Sequence, residues 1–258
     1  MFNSRIATAA RNAVVGAFIG MATVSLASAC GPATPSAPST TASPTIASAV
    51  NELNENPPSA PPPNTASGIY GNPVAAAKYW QQQSLEDNCG LLSVADVVGE
   101  ITGHEPTEQE IIALAEKTPS QTNPGPIYAP PADPSHSNGN GGIELADGVV
   151  LLDYYGIKSV MADATTHPDQ TGMPALQQYL TDGRKIIAWV NSATIWNSGD
   201  ERTKADHFLV VTGIDTNKEI VHLNDPGVDH PDEQVSVTTF TTAWQTGGDS
   251  VVVTNAPS

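Results

Sequence analysis

Three side chains in this sequence have the types and the order needed for nucleophilic chemistry by a thiol. Cys89 precedes an apolar run, His207 begins a β-branched run, and Asp225 follows a second such run in Leu-Asn-Asp-Pro-Gly. A thiolate attacks a carbonyl carbon, a histidine carries the proton, and a carboxylate on the second ring nitrogen fixes the histidine tautomer. The pattern therefore predicts a thiol hydrolase with Cys89 as nucleophile, His207 as general base and Asp225 as its orienting partner.

The position of Cys89 in the sequence favours its reactive form. Apolar residues at helical spacing over 88–101 predict a helix that starts at this cysteine. The free N–H groups and the positive dipole end of a helix start stabilise a thiolate. The sequence holds one other cysteine, Cys30, which lies at a processing junction, so Cys89 has no predicted disulfide partner. Gly90 has no side chain and is predicted to leave room for a substrate backbone.

The elements that must position these residues change along the chain from helices to strands. Helical spacing of apolar residues, with a capping box that starts at Thr107, predicts helices at 88–101, 107–117, 142–155 and 173–180. Short β-branched runs predict strands at 185–190, 207–212, 219–223, 234–238 and 250–254, with a helical turn at 240–244. The Pro-, Gly- and Asn-rich segment 119–142 predicts a surface loop beside a site. Helices followed by an antiparallel sheet predict one α+β domain over residues 67–258.

The sequence around the three residues resembles the papain-fold cysteine peptidases related to bacteriocin leader peptidases, in a stand-alone, exported form. The matching motifs are Gln83-Ser-Leu-Glu-Asp-Asn-Cys89-Gly, Ala-Asp-His207-Phe-Leu-Val-Val-Thr-Gly and Val-His-Leu-Asn-Asp225-Pro-Gly. The resemblance implies a papain-like fold, a peptide or protein substrate and no cofactor. It also implies that Gln83 donates to the oxyanion together with the backbone N–H of Cys89. The double-glycine specificity of exporter-fused leader peptidases is not carried over, because the sequence shows no transporter.

The third member of the triad is open between two neighbouring residues. Side chains alternate along an extended segment, so only one of Asn224 and Asp225 can face His207. Papain uses an asparagine at this point, whereas the resemblance favours Asp225. The oxyanion donor has a similar ambiguity, because two more glutamines directly precede Gln83.

Four further features near these motifs have a structural or a functional interpretation. Trp196, just before the histidine strand, is predicted to line the substrate groove. His222 alternates with apolar neighbours on a strand and is predicted to be structural. Asp87, two positions before the nucleophile, is a candidate for shaping the cleft. The acidic stretch 225–233 lacks the spacing and central glycine of a calcium loop, so no metal site is predicted.

The composition narrows the classes of function. A net charge of −17 with only ten Lys and Arg residues argues against a nucleic-acid partner. Within thiol chemistry, acyl transfer to an amine is the alternative to hydrolysis. From a different class, a papain-like binding or scaffold module at the cell envelope would keep the fold without turnover. Reactivity of the thiol separates an enzyme from such a scaffold.

The first residues predict export. Arg5 and Arg11 form a positive segment before an apolar stretch at 12–26 that is too short to span a bilayer comfortably, which is typical of a signal peptide over residues 1–29. Leu26-Ala-Ser-Ala-Cys30 resembles a bacterial lipobox, so Cys30 is predicted to carry a lipid that anchors the protein to a membrane and leaves it facing outward. Secretion without the lipid is the alternative. Residues 30–66, rich in Pro, Ser and Thr, predict a disordered tether.

Overall fold

A computed structural model of the protein describes residues 68–138 and 141–256, which form an α+β fold as the sequence predicts. The helices are α1 (Pro73–Ala76), α2 (Cys89–Thr102), α3 (Glu108–Ala115), α4 (Leu145–Tyr154), α5 (Met173–Thr181), α6 (Ser192–Ile195) and α7 (Val237–Gln245). The strands are β1 (Ile69–Gly71), β2 (Ser159–Ala162), β3 (Ile186–Val190), β4 (His207–Asp215), β5 (Ile220–Asn224), β6 (Glu233–Ser236) and β7 (Val251–Thr254). The predicted signal peptide, Cys30 and the tether lie outside the described residues.

These strands form one antiparallel sheet in the order β2-β7-β3-β4-β5-β6, and β1 also pairs with β4. The central strand β4 is buried along its whole length and pairs with β3 and β5. Because β4 begins at His207 and β5 ends at Asn224, antiparallel pairing brings the start of one strand and the end of the next to the same edge of the sheet. Among the described residues, no helix is both long and apolar enough to cross a bilayer.

Helices cover both faces of the sheet, and the strand side chains alternate between two cores. On one face, Phe208 and Val210 pack in a cluster with apolar residues of α2, α3 and α4. On the other face, Leu209 and Val211 pack in a cluster that includes apolar residues of α5 and α7. This period of two is the one expected for a strand that is buried on both sides. The start of β4 is therefore flanked by α2 on one side and by the second helical layer on the other.

The two helices nearest the predicted nucleophile begin and end at recognisable capping residues. The helix α2 ends at Gly103, whose φ of 76° is left-handed and whose N–H donates to the carbonyl of Gly99 at 2.8 Å. The helix α3 begins at the predicted capping box, in which Thr107 accepts from the backbone of Glu110 and the Glu110 carboxylate accepts from the backbone of Thr107. The boundaries predicted for both helices are confirmed to within two residues.

The structure departs from the sequence prediction in its shortest elements. The predicted strand at 234–238 stops at Ser236, because the hydroxyl of this serine accepts from the N–H of Thr239 and caps α7. The predicted turn at 240–244 is consequently a nine-residue helix. The strands β1 and β2 were not predicted, since three or four residues carry little periodicity and both strands form by pairing with β4 and β7.

Candidate active site

Cys89 is the first residue of α2, as predicted, and it is buried. The loop before it is anchored by Glu108 of α3, whose carboxylate accepts from the backbone N–H of Ser84 at 2.7 Å and from the side-chain amide of Asn88 at 2.6 Å. Burial alone would raise the pKa of Glu108, but these donors lower it below its usual value. The contact holds the loop and the start of α2 against α3, which fixes the position of the sulfur.

His207 and Asp225 form a buried hydrogen-bonded pair at the edge of the sheet. Nε2 of His207 lies 2.6 Å from Oδ1 of Asp225, although 18 positions separate the two residues. Asp225 also accepts from the N–H of Gly227 at 2.6 Å and from the indole N–H of Trp196 at 2.9 Å. Its own carbonyl accepts from the indole of Trp80 at 2.6 Å. The carboxylate is therefore held by several donors and kept from water.

The sulfur of Cys89 lies beside the first residues of β4. The backbone N–H of Phe208 donates to Sγ at 3.5 Å, and the sulfur lies close enough to His207 for its charge to act on the imidazole. Because Asp225 occupies Nε2 of the imidazole, Nδ1 is the ring nitrogen left for the thiol. The structure thus brings together the three side chains that the sequence singled out.

The charges around His207 favour its protonated form. Burial alone would lower the pKa of His207, but the Asp225 carboxylate and the charge and hydrogen bond of Cys89 raise it to about 10. Burial alone would raise the pKa of Asp225, but the charge of the facing imidazolium lowers it below its usual value. An imidazolium beside a cysteine stabilises the thiolate, which is the form that attacks carbonyl groups.

Asp225, and not Asn224, is the residue that faces His207, because the two side chains point to opposite faces of the sheet. The side-chain amide of Asn224 donates to Asp96 of α2 at 2.7 Å and to the carbonyl of Ala76 at 3.0 Å. Asp225, one residue further, points to the opposite side and meets His207. Asn224 therefore connects β5 to the helix that carries Cys89, and it is not the partner of the histidine.

Gln83 lies next to the histidine–aspartate pair, but its side-chain donor is engaged elsewhere. Its backbone N–H donates to the carbonyl of Pro226 at 2.9 Å, and its Nε2 donates to the carbonyl of Leu85 at 2.6 Å. Its Oε1 is buried and has no partner among the described residues. The neighbouring Gln81 donates its amide to Pro106 at 2.8 Å, away from these groups. The predicted donation from Gln83 to an oxyanion stays a prediction.

Trp196 covers the histidine–aspartate pair from the solvent side. Its ring stands edge-on to His207 with centroids 5.0 Å apart, and 36% of its surface is exposed. The indole approaches Gly227 so closely that a Cβ at that position would lie 2.4 Å from the tryptophan ring. Trp196 thus donates a hydrogen bond to Asp225, which the sequence did not indicate, and part of its ring remains exposed to solvent.

Gly90 has a packing role that differs from the predicted one. A Cβ at this position would lie 2.5 Å from Ile143 and 3.0 Å from Phe208. The space that the glycine leaves is therefore filled by protein side chains and does not open toward a substrate. The prediction that Gly90 contacts the substrate is therefore wrong. The glycine instead lets α2 pack closely against β4 and against Ile143, which precedes α4.

The predicted loop at 119–142 packs against the residues just before the nucleophile. Tyr128 donates its hydroxyl to Asp87 at 2.9 Å, and Nε2 of His136 lies 3.2 Å from the same carboxylate. The pKa of Tyr128 is raised by burial and by its bond to this carboxylate. Asp87 therefore anchors the loop beside Cys89. Within residues 68–138 and 141–256, no group of three or more His, Cys, Asp or Glu is arranged to hold a metal ion.

Several contributors to the site carried no readable signal in the sequence. Glu108 lies 20 positions after Asn88 in the chain, and Trp80 reaches Asp225 across 145 positions, so both contacts exist only in the folded protein. Gly227 was visible as part of a turn sequence, but its donation to Asp225 depends on how that turn folds back.

The chain is similar to a known protein family, to bacterial sequences and to solved structures. A family model described as the Peptidase_C39 like family matches residues 74–252, a range that includes Cys89, His207 and Asp225. Uncharacterized proteins from Mycobacterium bovis and Mycobacterium tuberculosis are each 46% identical over 206 residues, covering 76% of this chain and 88% of each relative.

Two solved structures are among those similar to this chain. A Bacillus anthracis protein described as a C39-like peptidase is 19% identical, with a TM-score of 0.49, over 72% of this chain and 97% of its own. The peptidase domain of Streptococcus ComA, a bifunctional ABC transporter of a quorum-sensing pathway, is 16% identical, with a TM-score of 0.40, over 69% and 98%. Since the family match spans nearly the whole described domain, the chain belongs to the Peptidase_C39 like family of papain-like cysteine peptidases.

Proposed function

We propose that this protein is an exported cysteine peptidase in which Cys89 is the nucleophile, His207 the general base and Asp225 the residue that orients the histidine. The observation that carries the proposal is the buried 2.6 Å hydrogen bond between His207 and Asp225, beside a cysteine at the start of a helix. Membership in a peptidase family supports peptide bonds as the substrate class.

In the proposed reaction, the Cys89 thiolate attacks the carbonyl carbon of a peptide bond and forms a carbon–sulfur bond. The His207 imidazolium then gives its proton to the leaving nitrogen, and the carbon–nitrogen bond breaks to leave an acyl-enzyme. Water attacks the thioester carbon and gives one proton to His207, the carbon–sulfur bond breaks to restore the thiolate, and the carboxylic acid product releases its proton to solvent as it leaves. Asp225 keeps the imidazole oriented in both halves of the reaction.

The oxyanion of the tetrahedral intermediate needs donors close to Cys89. We assign the backbone N–H of Cys89 to this role, because it lies in the first turn of α2 where N–H groups are not used by the helix. The second donor is Gln83, whose amide nitrogen has two hydrogens, one of which is used by Leu85. The partly exposed ring of Trp196, edge-on to His207, forms part of the groove for the peptide.

The cellular part of the proposal rests on residues 1–66 of the sequence. We propose that the signal peptide ends before Cys30, that a lipid on this cysteine anchors the chain outside the membrane, and that residues 30–66 act as a tether. Expression of the full chain in a bacterium with a lipoprotein pathway is expected to place it in the membrane fraction with a lipid-modified Cys30 detectable by mass spectrometry. A Cys30→Ser variant found equally in that fraction would contradict the anchor.

The enzymatic part is tested with the full chain and a mixture of peptides of varied sequence. Mass spectrometry is expected to detect cleavage by the parent protein and none by Cys89→Ser, which keeps the size of the side chain. Added amine separates hydrolysis from acyl transfer, because transfer yields an amide product. If all peptides stay intact and the thiol is unreactive, the binding or scaffold module becomes the better account.

A further inference from the structure

Glu233, the first residue of β6, lies on the same face of the sheet as Asp225. The register of β5 and β6 places Glu233 directly opposite Leu223. Directly opposed side chains of antiparallel strands share a face, and Asp225 follows Leu223 by two residues, so alternation directs its side chain to that face as well. The fold therefore brings a second carboxyl group to the back of the proposed triad.

The two carboxyl groups lie close enough for the charge of Asp225 to act on Glu233, and the charge of His207 acts on it as well. Oε2 of Glu233 is buried, and no N–H or hydroxyl group of the described residues donates to it. Two carboxyl groups share a hydrogen bond only when one of them is protonated. Asp225 faces an imidazolium and accepts from the indole of Trp196, so the proton belongs on Glu233.

We propose that Glu233 is a positioning residue of the active site, whose carboxylic O–H donates to the Asp225 carboxylate and holds it against His207. The inference rests on the proposed triad. Burial, followed by the charge of Asp225 and the bond between the two groups, raises the pKa of Glu233 to about 8. Above that pH Glu233 is ionised, so it no longer donates to Asp225 and repels it. Asp225 then holds His207 less firmly in its orientation.

The charged groups around Glu233 come from three parts of the site. Asp225 after β5 raises its pKa, and His207 at the start of β4 lowers it. The loop before β6 contributes Asp229, His230 and Asp232, which line the same cleft as Glu233. Asp229 is exposed and is therefore a matched control for a carboxylate in this cleft that does not touch Asp225.

The first measurement is the titration of the Glu233 carboxyl carbon by carbon-13 NMR in the full chain, with Glu233→Gln to assign the signal. A midpoint near pH 8 is expected. The ring nitrogen-15 signals of His207 should show an inflection at the same pH in the parent and in Asp229→Asn. The inflection should be lost in Glu233→Gln, whose amide donates at every pH.

The second measurement is the alkylation rate of Cys89 by iodoacetamide at pH 7. Glu233→Gln keeps the donor and should stay within about twofold of the parent, whereas Glu233→Leu removes the donor and should be slower by about fivefold, the effect of one lost hydrogen bond. If Glu233 only stabilised the fold, Cys89 would be alkylated more slowly in both variants and the His207 inflection would stay in place.

The outcomes separate the inference from the proposed function. A Glu233 midpoint near the ordinary value of about 4.3, or a His207 inflection that persists in Glu233→Gln, overturns the inference and leaves the triad intact. A parent Cys89 whose alkylation is unaffected by His207→Ala overturns the proposed triad. In that case the carbon-13 titration still decides whether Glu233 donates to Asp225.

Discussion

Two histidines on neighbouring strands each bond to an aspartate, but the two pairs differ in what surrounds them. His207 and Asp225 are 2.6 Å apart, with 5% and 0% of their side chains exposed. His222 and Asp232 are 2.7 Å apart, with 7% and 31% exposed. The histidines are therefore equally buried and equally well bonded. The difference lies in the carboxylates and in the second nitrogen of each ring.

Asp225 is held by protein donors, whereas Asp232 is partly in water. The carboxylate of Asp232 accepts from the side chain of Gln234 at 2.9 Å, and solvent screens its charge. Nε2 of His222 is buried without a partner among the described residues, while the ring of His207 meets Cys89. A histidine–aspartate bond is therefore not enough for this chemistry. A nucleophile and a dry, fixed carboxylate must be present as well.

The sharpest test of this contrast replaces each histidine with alanine. We expect His207→Ala to slow alkylation of Cys89 by iodoacetamide at pH 6 by about a hundredfold, because the imidazolium that stabilises the thiolate is lost. His222→Ala should change the rate by less than about threefold and instead lower the free energy of unfolding by about 1–3 kcal/mol, since it leaves a buried contact unmade. Mass spectrometry of the Cys89 peptide measures the rate in the full chain. Equal rates for the two variants would remove the distinction between the pairs.

The next test exchanges each aspartate for asparagine, which keeps the shape and removes the charge. We expect Asp225→Asn to slow peptide cleavage or Cys89 alkylation by at least about tenfold, because the buried His207 loses a charged partner. Asp232→Asn should have an effect of about twofold or less, because exposed charges contribute little. If Asp232→Asn proved the more damaging variant, His222 would have to be reconsidered as the active histidine.

The smallest expected effect concerns the donor on Trp196. Trp196→Phe keeps an aromatic ring over His207 but loses the indole N–H that bonds to Asp225. The variant should slow alkylation of Cys89 by about fivefold, the effect of one hydrogen bond to a carboxylate. The exposed aromatic Tyr154, which lies on α4, serves as the control in Tyr154→Phe and should leave the rate unchanged. A fully active Trp196→Phe would show that the other donors to Asp225 are sufficient.

Much of the fold was predictable because its signals are local. The apolar spacing that starts at Cys89 indicated α2, and the β-branched runs indicated β3, β4, β5 and β7 close to their observed bounds. Helix and strand periodicities depend only on neighbouring residues, so a sequence displays them directly. The missed or misjudged elements are short and depend on a pairing partner or a single cap; they are β1, β2, α1, α6 and the junction of β6 with α7.

Residue types and their spacing were enough to identify the candidate residues of the site and their order: a cysteine at a helix start, a histidine at a strand start and an acidic turn after the next strand. The pairing of Asp225 with His207, the bond of Asn224 to Asp96, the bond of Gln83 to Leu85 and the packing of Ile143 at Gly90 became visible in the folded chain. The same holds for the bond of Trp196 to Asp225 and for the strand register that brings Glu233 to the face of Asp225. Periodicity indicates which residues share a face, whereas the packing of distant elements sets what each face contacts.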